Sequence, residues 1–168
     1  MMRSEELTTK TEKNSQKILK KLISEEIIAA DFYMGAINSV KPEELHFIAE
    51  KFLEIQKDER DDHQAALTKY AMERGYEVPF KYKDIEKYAS KKMVSKFNAL
   101  KKDETAAYYV KQAIECEEEA IKSFEEAMSQ EYDFELQPIL LSCYYDELQH
   151  LEDLQLLLTC TELGVEVR

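Results

Sequence analysis

The chain has 168 residues, enough for one domain with a sizeable core. Charged residues make up 35% and hydrophobic residues 44%, with only 3 Gly and 3 Pro; breakers are scarce, strand-like alternation is nearly absent, and an all-α protein is expected. A formal net charge of −12 disfavours nonspecific binding to nucleic acid and anionic membranes and favours local enrichment of cations.

No apolar stretch reaches the length of a membrane span, and the N-terminus lacks the apolar core of a signal peptide, so a cytoplasmic protein is expected. The lysines that could form a basic patch (Lys10, Lys13, Lys17, Lys20 and Lys21, and the run from Lys81 to Lys102) are interspersed with acids. Cys116, Cys143 and Cys160 are odd in number and lack disulfide or zinc spacing, which reads as reduced thiols.

Residues 1–13 are polar and aperiodic and read as a flexible arm preceding a helical domain at 14–168. From about Asn14 a helical stripe runs Leu19, Leu22, Glu26, Ala29/Ala30, Tyr33, Ile37, with Glu25 and Asp31 off it and reading as solvated. Pro42, Glu43 and Glu44 start a second helix, whose stripe is Leu45, Ile48, Phe52, Ile55, Glu59, Asp62, Ala66, Tyr70, ending at a capping Gly75. Residues 76 to about 102 read as a long connection with one short helix over Asp84–Leu100. Asp103 is a candidate cap for a third helix with Val110, Ala113, Glu117, Ala120 and Phe124 inward. The fourth begins near Pro138 and carries Leu140, Cys143, Glu147, His150, Leu154 and Leu157 on one face.

Each stripe is interrupted by acid about midway, where the pattern calls for an apolar residue. Burying an ionised carboxylate is costly without compensation, and metal coordination is one adequate compensation. Glu26 and Glu117 each come singly from one helix, whereas Glu59 with Asp62 and Glu147 with His150 form i, i+3 pairs, the layout that a dinuclear iron or manganese centre takes inside a four-helix bundle. One Glu-x-x-His alone is weak evidence in so charged a chain; four interrupted stripes are strong. A regular second helix favours Asp62, and a local π-bulge would bring in His63 instead. His46 reads as a surface or packing residue. Cys116 and Cys143 read as small core residues, the alternative being a redox-active thiol pair beside the metals.

On the segments Glu117 to Met128 and Asp146 to His150, the chain resembles the ferritin-like superfamily over roughly residues 14–161, with its third and fourth helices similar to those of bacterioferritins and rubrerythrins. The resemblance implies an antiparallel four-helix bundle with two iron ions held by Glu117, Glu147, His150, Glu26 and Glu59, manganese being the other candidate. It also implies Fe(II) as substrate and peroxide or dioxygen as oxidant. The extra helix in the long crossover, with no fifth helix after the fourth, resembles the dodecameric Dps-like mini-ferritins; ligands gathered within one bundle, with cysteines nearby, resemble the group called thioferritins. Rubrerythrin proper is disfavoured, because the rubredoxin-type Cys-x-x-Cys pairs are absent. The expected function is thus a ferroxidase that stores iron in a homo-oligomeric shell. The competing readings are a di-metal peroxidase or oxygenase without storage, and a non-catalytic acidic interaction protein.

Overall fold

The computed structural model describes the backbone of residues 2–166 and the side chains from Lys10 to Glu166. Helix α1 spans Met2–Ser39. The second rod is continuous but not uniform: a 3₁₀ turn at Pro42–Glu44, α2 at Leu45–Lys57, a π-helical segment at Asp58–Gln64, then α3 at Ala65–Glu73. The crossover carries α4 (Tyr82–Tyr88) and α5 (Lys91–Asn98), and α6 (Ala106–Met128) and α7 (Gln137–Leu163) complete the bundle. Gly75 and Gly164, with φ of 74° and 72°, supply the left-handed residues that end the second and fourth rods.

Local chemistry accounts for three departures from the periodicity. The backbone of residues 2–13 continues α1 instead of forming an irregular arm, since the segment has no Gly or Pro and carries good helix formers in Glu5, Glu6, Leu7, Lys10, Glu12 and Lys13, which extend a helix already nucleated; Met1 lies outside the described residues. The crossover holds two short helices where one was expected: Ala89 is extended, and the Ser90 side chain caps α5 by accepting from the Met93 N–H. Thr105, not Asp103, caps α6, accepting from the Tyr108 N–H, while Asp103 adopts φ 58° and donates its N–H to Ser39. Aspartate tolerates that left-handed conformation better than most residues.

The core is two apolar layers separated by a polar one. Towards one end lie Phe32, Ala36, Val40, Ile48, Phe52, Tyr109 and Leu157; towards the other lie Ile18, Leu19, Leu22, Leu67, Phe124 and Leu140. A third cluster seats the crossover, with Ile85, Ala89 and Met93 against Ile28 and Ala29 of α1. Polar ties fasten both ends of the bundle. Asp133 accepts from the Tyr70 and Tyr76 hydroxyls at 3.1 and 2.8 Å and donates its N–H to Ser15, and at the far end Glu44 accepts from the Ala106 N–H at 3.0 Å. Among the described residues no helix is long and apolar enough to cross a membrane.

Phe52 is fully buried and meets the Tyr33 ring edge-on at a centroid distance of 5.0 Å. Phe52→Ala removes that contact and opens a cavity, so it should lower the stability of the metal-free protein by about 3–5 kcal/mol in urea unfolding; a change below about 1 kcal/mol would contradict this packing.

Candidate metal centre

Between the two apolar layers the four rods direct six polar side chains at one another. Glu26 comes from α1, Glu59 and His63 from the π segment, Glu117 from α6, and Glu147 and His150 from α7, all buried to within 4% exposure. They form two groups, Glu26–Glu59–His63–Glu147 and Glu59–Glu117–Glu147–His150, each offering four ligand atoms within 4.8 Å of one another. Glu59 and Glu147 belong to both groups, the position of bridging carboxylates. The two imidazoles lie 5.9 Å apart, nearly parallel at 27°.

The π segment makes this symmetry possible. On α7 the Glu–His spacing is i, i+3, whereas on the second rod it is i, i+4. Adding a residue to the turn lets i, i+4 occupy the angular position that i, i+3 takes in an α-helix. His63 therefore faces Glu26 and Glu147, with Nδ1 at 3.4 and 2.9 Å from their oxygens, and Asp62 turns outward and is exposed. The regular-helix preference for Asp62 is thereby corrected, and the centre holds four buried carboxylates rather than five.

Two aspartates that the sequence pattern did not single out complete the arrangement, and they do so crosswise. Asp146 of α7 contacts Nε2 of His63 at 2.9 Å, and Asp58 of the π segment contacts Nε2 of His150 at 2.9 Å. With the Nε2 proton donated to a carboxylate, each ring presents Nδ1 to the centre. The available signal was the Asp-Glu dipeptide preceding each histidine, at 58–59 and 146–147. Tyr33, on the inward stripe of α1, also reaches the centre: its hydroxyl donates to Glu117 Oε1 at 2.7 Å.

The donor set fits a pair of metal ions. Eight buried atoms lack a hydrogen-bond partner here: Glu26 Oε2, both oxygens of Glu59 and of Glu147, Glu117 Oε2, and Nδ1 of His63 and His150. Nδ1 of His150 lies 3.0 Å from Glu59 Oε1, but off the line that a hydrogen bond needs. Oxygen-rich sites with imidazole suit borderline and hard divalent cations.

In the metal-free protein, protons do part of that work. Burial, with Glu59 and Glu147 nearby, raises Glu26 well above the ordinary carboxylate value, and burial with Glu147 and Glu59 does the same to Glu117. Burial also raises Glu59. Glu147 is the exception. Burial opposes its ionisation, but Glu117, His150 and His63 outweigh that and hold it well below the usual range. Burial likewise opposes a charge on either histidine, yet the facing carboxylates raise His63 well above its ordinary value and His150 to about 11. Two imidazolium rings thus offset the ionised carboxylates, and metal entry would displace their Nδ1 protons.

Neighbouring groups divide differently from the expectation. Cys116 and Cys143 are buried and free, but they pack in separate apolar clusters, and burial pushes each thiol up to about 12. Cys143 lines a cleft of about 550 Å³ that reaches His63 from the surface, with Asp61, Asp62 and Asp146 beside it. Glu25, expected to be solvated, is 2% exposed; it accepts the Ser90 N–H at 2.8 Å and so ties α1 to the start of α5. Asp31 is exposed as expected, and His46 is exposed and pairs with Glu166.

Because only His63 faces the centre, anaerobic Mn(II) or Fe(II) should raise the melting temperature of Asp62→Ala as it does that of the unsubstituted chain. At a hundredfold excess over Kd the stabilisation is about 2.7 kcal/mol. His63→Ala should lose most of that shift in scanning calorimetry, and equal shifts in both variants would reject the geometry. Asp58→Asn and Asp146→Asn, which disturb only ring orientation, should weaken metal affinity about 10- to 100-fold by calorimetric titration.

Comparison with known proteins agrees with the fold. No curated protein sequence gives a significant match. Among solved structures, the chain is similar to a dodecameric thioferritin, the bacterioferritin-related protein from Bacteroides fragilis, with a TM-score of 0.74 and 21% identity over 91% of this chain and 89% of that one. At that identity the likeness is one of fold. The family model described as Rubrerythrin matches residues 17–158, which include all six residues of the centre. The match covers the helical bundle. By its bundle and over most of its length, the chain belongs to the rubrerythrin family of ferritin-like proteins.

Proposed function

We propose that the chain is a di-iron ferroxidase of the mini-ferritin type, which takes up Fe(II), oxidises it at the paired centre and retains the ferric product in a homo-oligomeric shell. The observation that carries this reading is the pair of ligand groups sharing Glu59 and Glu147, with eight buried atoms lacking partners. Glu26 and His63 would hold one iron, Glu117 and His150 the other, and Glu59 and Glu147 would bridge them.

Each Fe(II) gives up one electron, so the pair supplies the two that reduce peroxide to two hydroxide ions or dioxygen, with two protons, to peroxide. The chain's own contribution is positional. Asp146 and Asp58 hold the histidine rings with Nδ1 inward, Tyr33 fixes Glu117, and the apolar layers above and below keep bulk water from the centre. Net charge −12 enriches Fe(II) around the protein. The shell finds support in the dodecameric state named for the structurally similar Bacteroides protein. Free cysteines accord with a reducing compartment such as the cytoplasm.

A di-metal peroxidase or oxygenase without storage is the second reading, favoured by the rubrerythrin match itself. The third, an acidic scaffold whose core acids are merely hydrogen-bonded, sits poorly with carboxylate oxygens that have no partner.

Fe(II) oxidation followed by absorbance should show a fast phase saturating at about two irons per chain, as a dinuclear site requires. Glu147→Ala, which removes a residue common to both groups, should abolish that phase; an unchanged rate would place the reaction elsewhere. Light scattering separates the first two readings, because storage requires a shell, and a monomer or dimer would favour the peroxidase.

A further inference from the structure

The surface is electrically divided in a way the metal centre does not explain. Residues 81–102 contain eight lysines and two acids, whereas residues 123–166 contain no Lys or Arg and eleven acids, of which only Asp146 and Glu147 belong to the centre. The lysines lie on the crossover, whose helices pack on α1 and α6.

Two surface features combine charge with apolar side chains. At the start of the crossover, Phe80 is 79% exposed and Tyr82 46% exposed, with exposed Lys81 and Lys83 beside them. This makes a short basic segment with two aromatic side chains in solvent. Between α2 and the end of α7 lies a mostly polar cavity of about 470 Å³ lined by Phe47 and the buried Leu157 together with Glu50, Lys51, Glu54, Glu166 and His46, which pairs with Glu166. Leu53 and Leu156, large apolar side chains on the same two helices, are 41% and 56% exposed. The lysine at this cavity, Lys51, already contacts Glu54 and Asp153.

The two features lie at opposite ends of the bundle. Phe80 lies beside Lys20, in the stretch of α1 that supplies Ile18, Leu19 and Leu22 to one apolar layer. Leu157 belongs with Ala36, Val40 and Ile48 in the other layer. They cannot meet within one chain. We infer that the Phe80–Lys83 segment of one copy seats in the Glu50/Glu54 cavity between α2 and α7 of a second copy. The Phe80 and Tyr82 rings would lie against Phe47 while Lys81 and Lys83 meet Glu50, Glu54 and Glu166. Such a contact is head-to-tail, and head-to-tail contacts close into rings when the rotation permits. The inference rests on the proposed shell and names the surfaces that would build it. Because the contact pairs opposite charges at an exposed rim, it is sensitive to salt.

Light scattering coupled to size exclusion, at low and at high salt, tests it on the full-length chain. Lys81→Glu with Lys83→Glu should reduce the particle mass from that of a shell to that of one or a few chains, as should Glu50→Lys with Glu54→Lys and, independently of charge, Phe80→Ser. Helical circular dichroism and the capacity for two metals per chain should remain unchanged in all three, since none of these residues touches the centre. Combining both charge reversals should restore the assembled mass. If the unsubstituted chain forms a shell and the variants assemble as it does, or the combination fails to reassemble, this pairing is wrong, the cavity takes another occupant and the shell reading survives. If the unsubstituted chain is itself monomeric at low salt, the shell reading and this interface fall together.

Discussion

The constraint on which the structure depends is the burial of four carboxylates in the middle of a helical bundle. None of Glu26, Glu59, Glu117 and Glu147 is more than 2% exposed, and an apolar interior does not tolerate such groups without compensation. Protons and two imidazolium rings compensate them in the metal-free state, and the same carboxylate oxygens and Nδ1 atoms suit metal ions in place of those protons. The apolar layers, and the ties at Asp133 and Glu44, hold the rods together without help from the centre. Stability is concentrated at the ends, so the middle can carry a costly charge arrangement.

The π segment converts that constraint into a specific shape. Two rods with different Glu–His spacing present equivalent ligands only because Asp58–Gln64 carries a wider turn. The same turn displaces Asp62 to the surface and aligns Asp58 with His150 across the bundle. Each histidine is thus oriented by an aspartate from the rod opposite its own, which couples the second and fourth rods through the site. A change in one rod's register would disturb both histidines.

Much of this was legible in the chain itself. The interrupted stripes identified Glu26, Glu59, Glu117, Glu147 and His150 as neighbours, because a helix repeats its face every three or four residues and an acid in that face has to go somewhere. Periodicity also gave the four long rods and the crossover. What it could not give was any feature that breaks the period. His63 required a turn of different pitch. Asp58 and Asp146 lie one residue off the inward face and look like ordinary surface acids until the partner helix is placed. Glu25 lies beside Glu26 and was read as solvated, yet the crossover folds over it and supplies the Ser90 N–H. Each of these residues takes its role from a long-range contact, which a local pattern does not encode.

The symmetry of the ligands conceals a difference between the two halves. Glu117 is fixed by the hydroxyl of Tyr33, which is itself fully buried and set edge-on against Phe32 and Phe52. Glu26 has no such aromatic donor; its Oε2 faces His63, and behind His63 lies the open cleft lined by Asp61, Asp62 and Cys143. Packed aromatic rings thus fix the Glu117 carboxylate, whereas on both halves one imidazole, His63 at 2% exposure or His150 at 4%, stands between the carboxylates and a partly exposed aspartate.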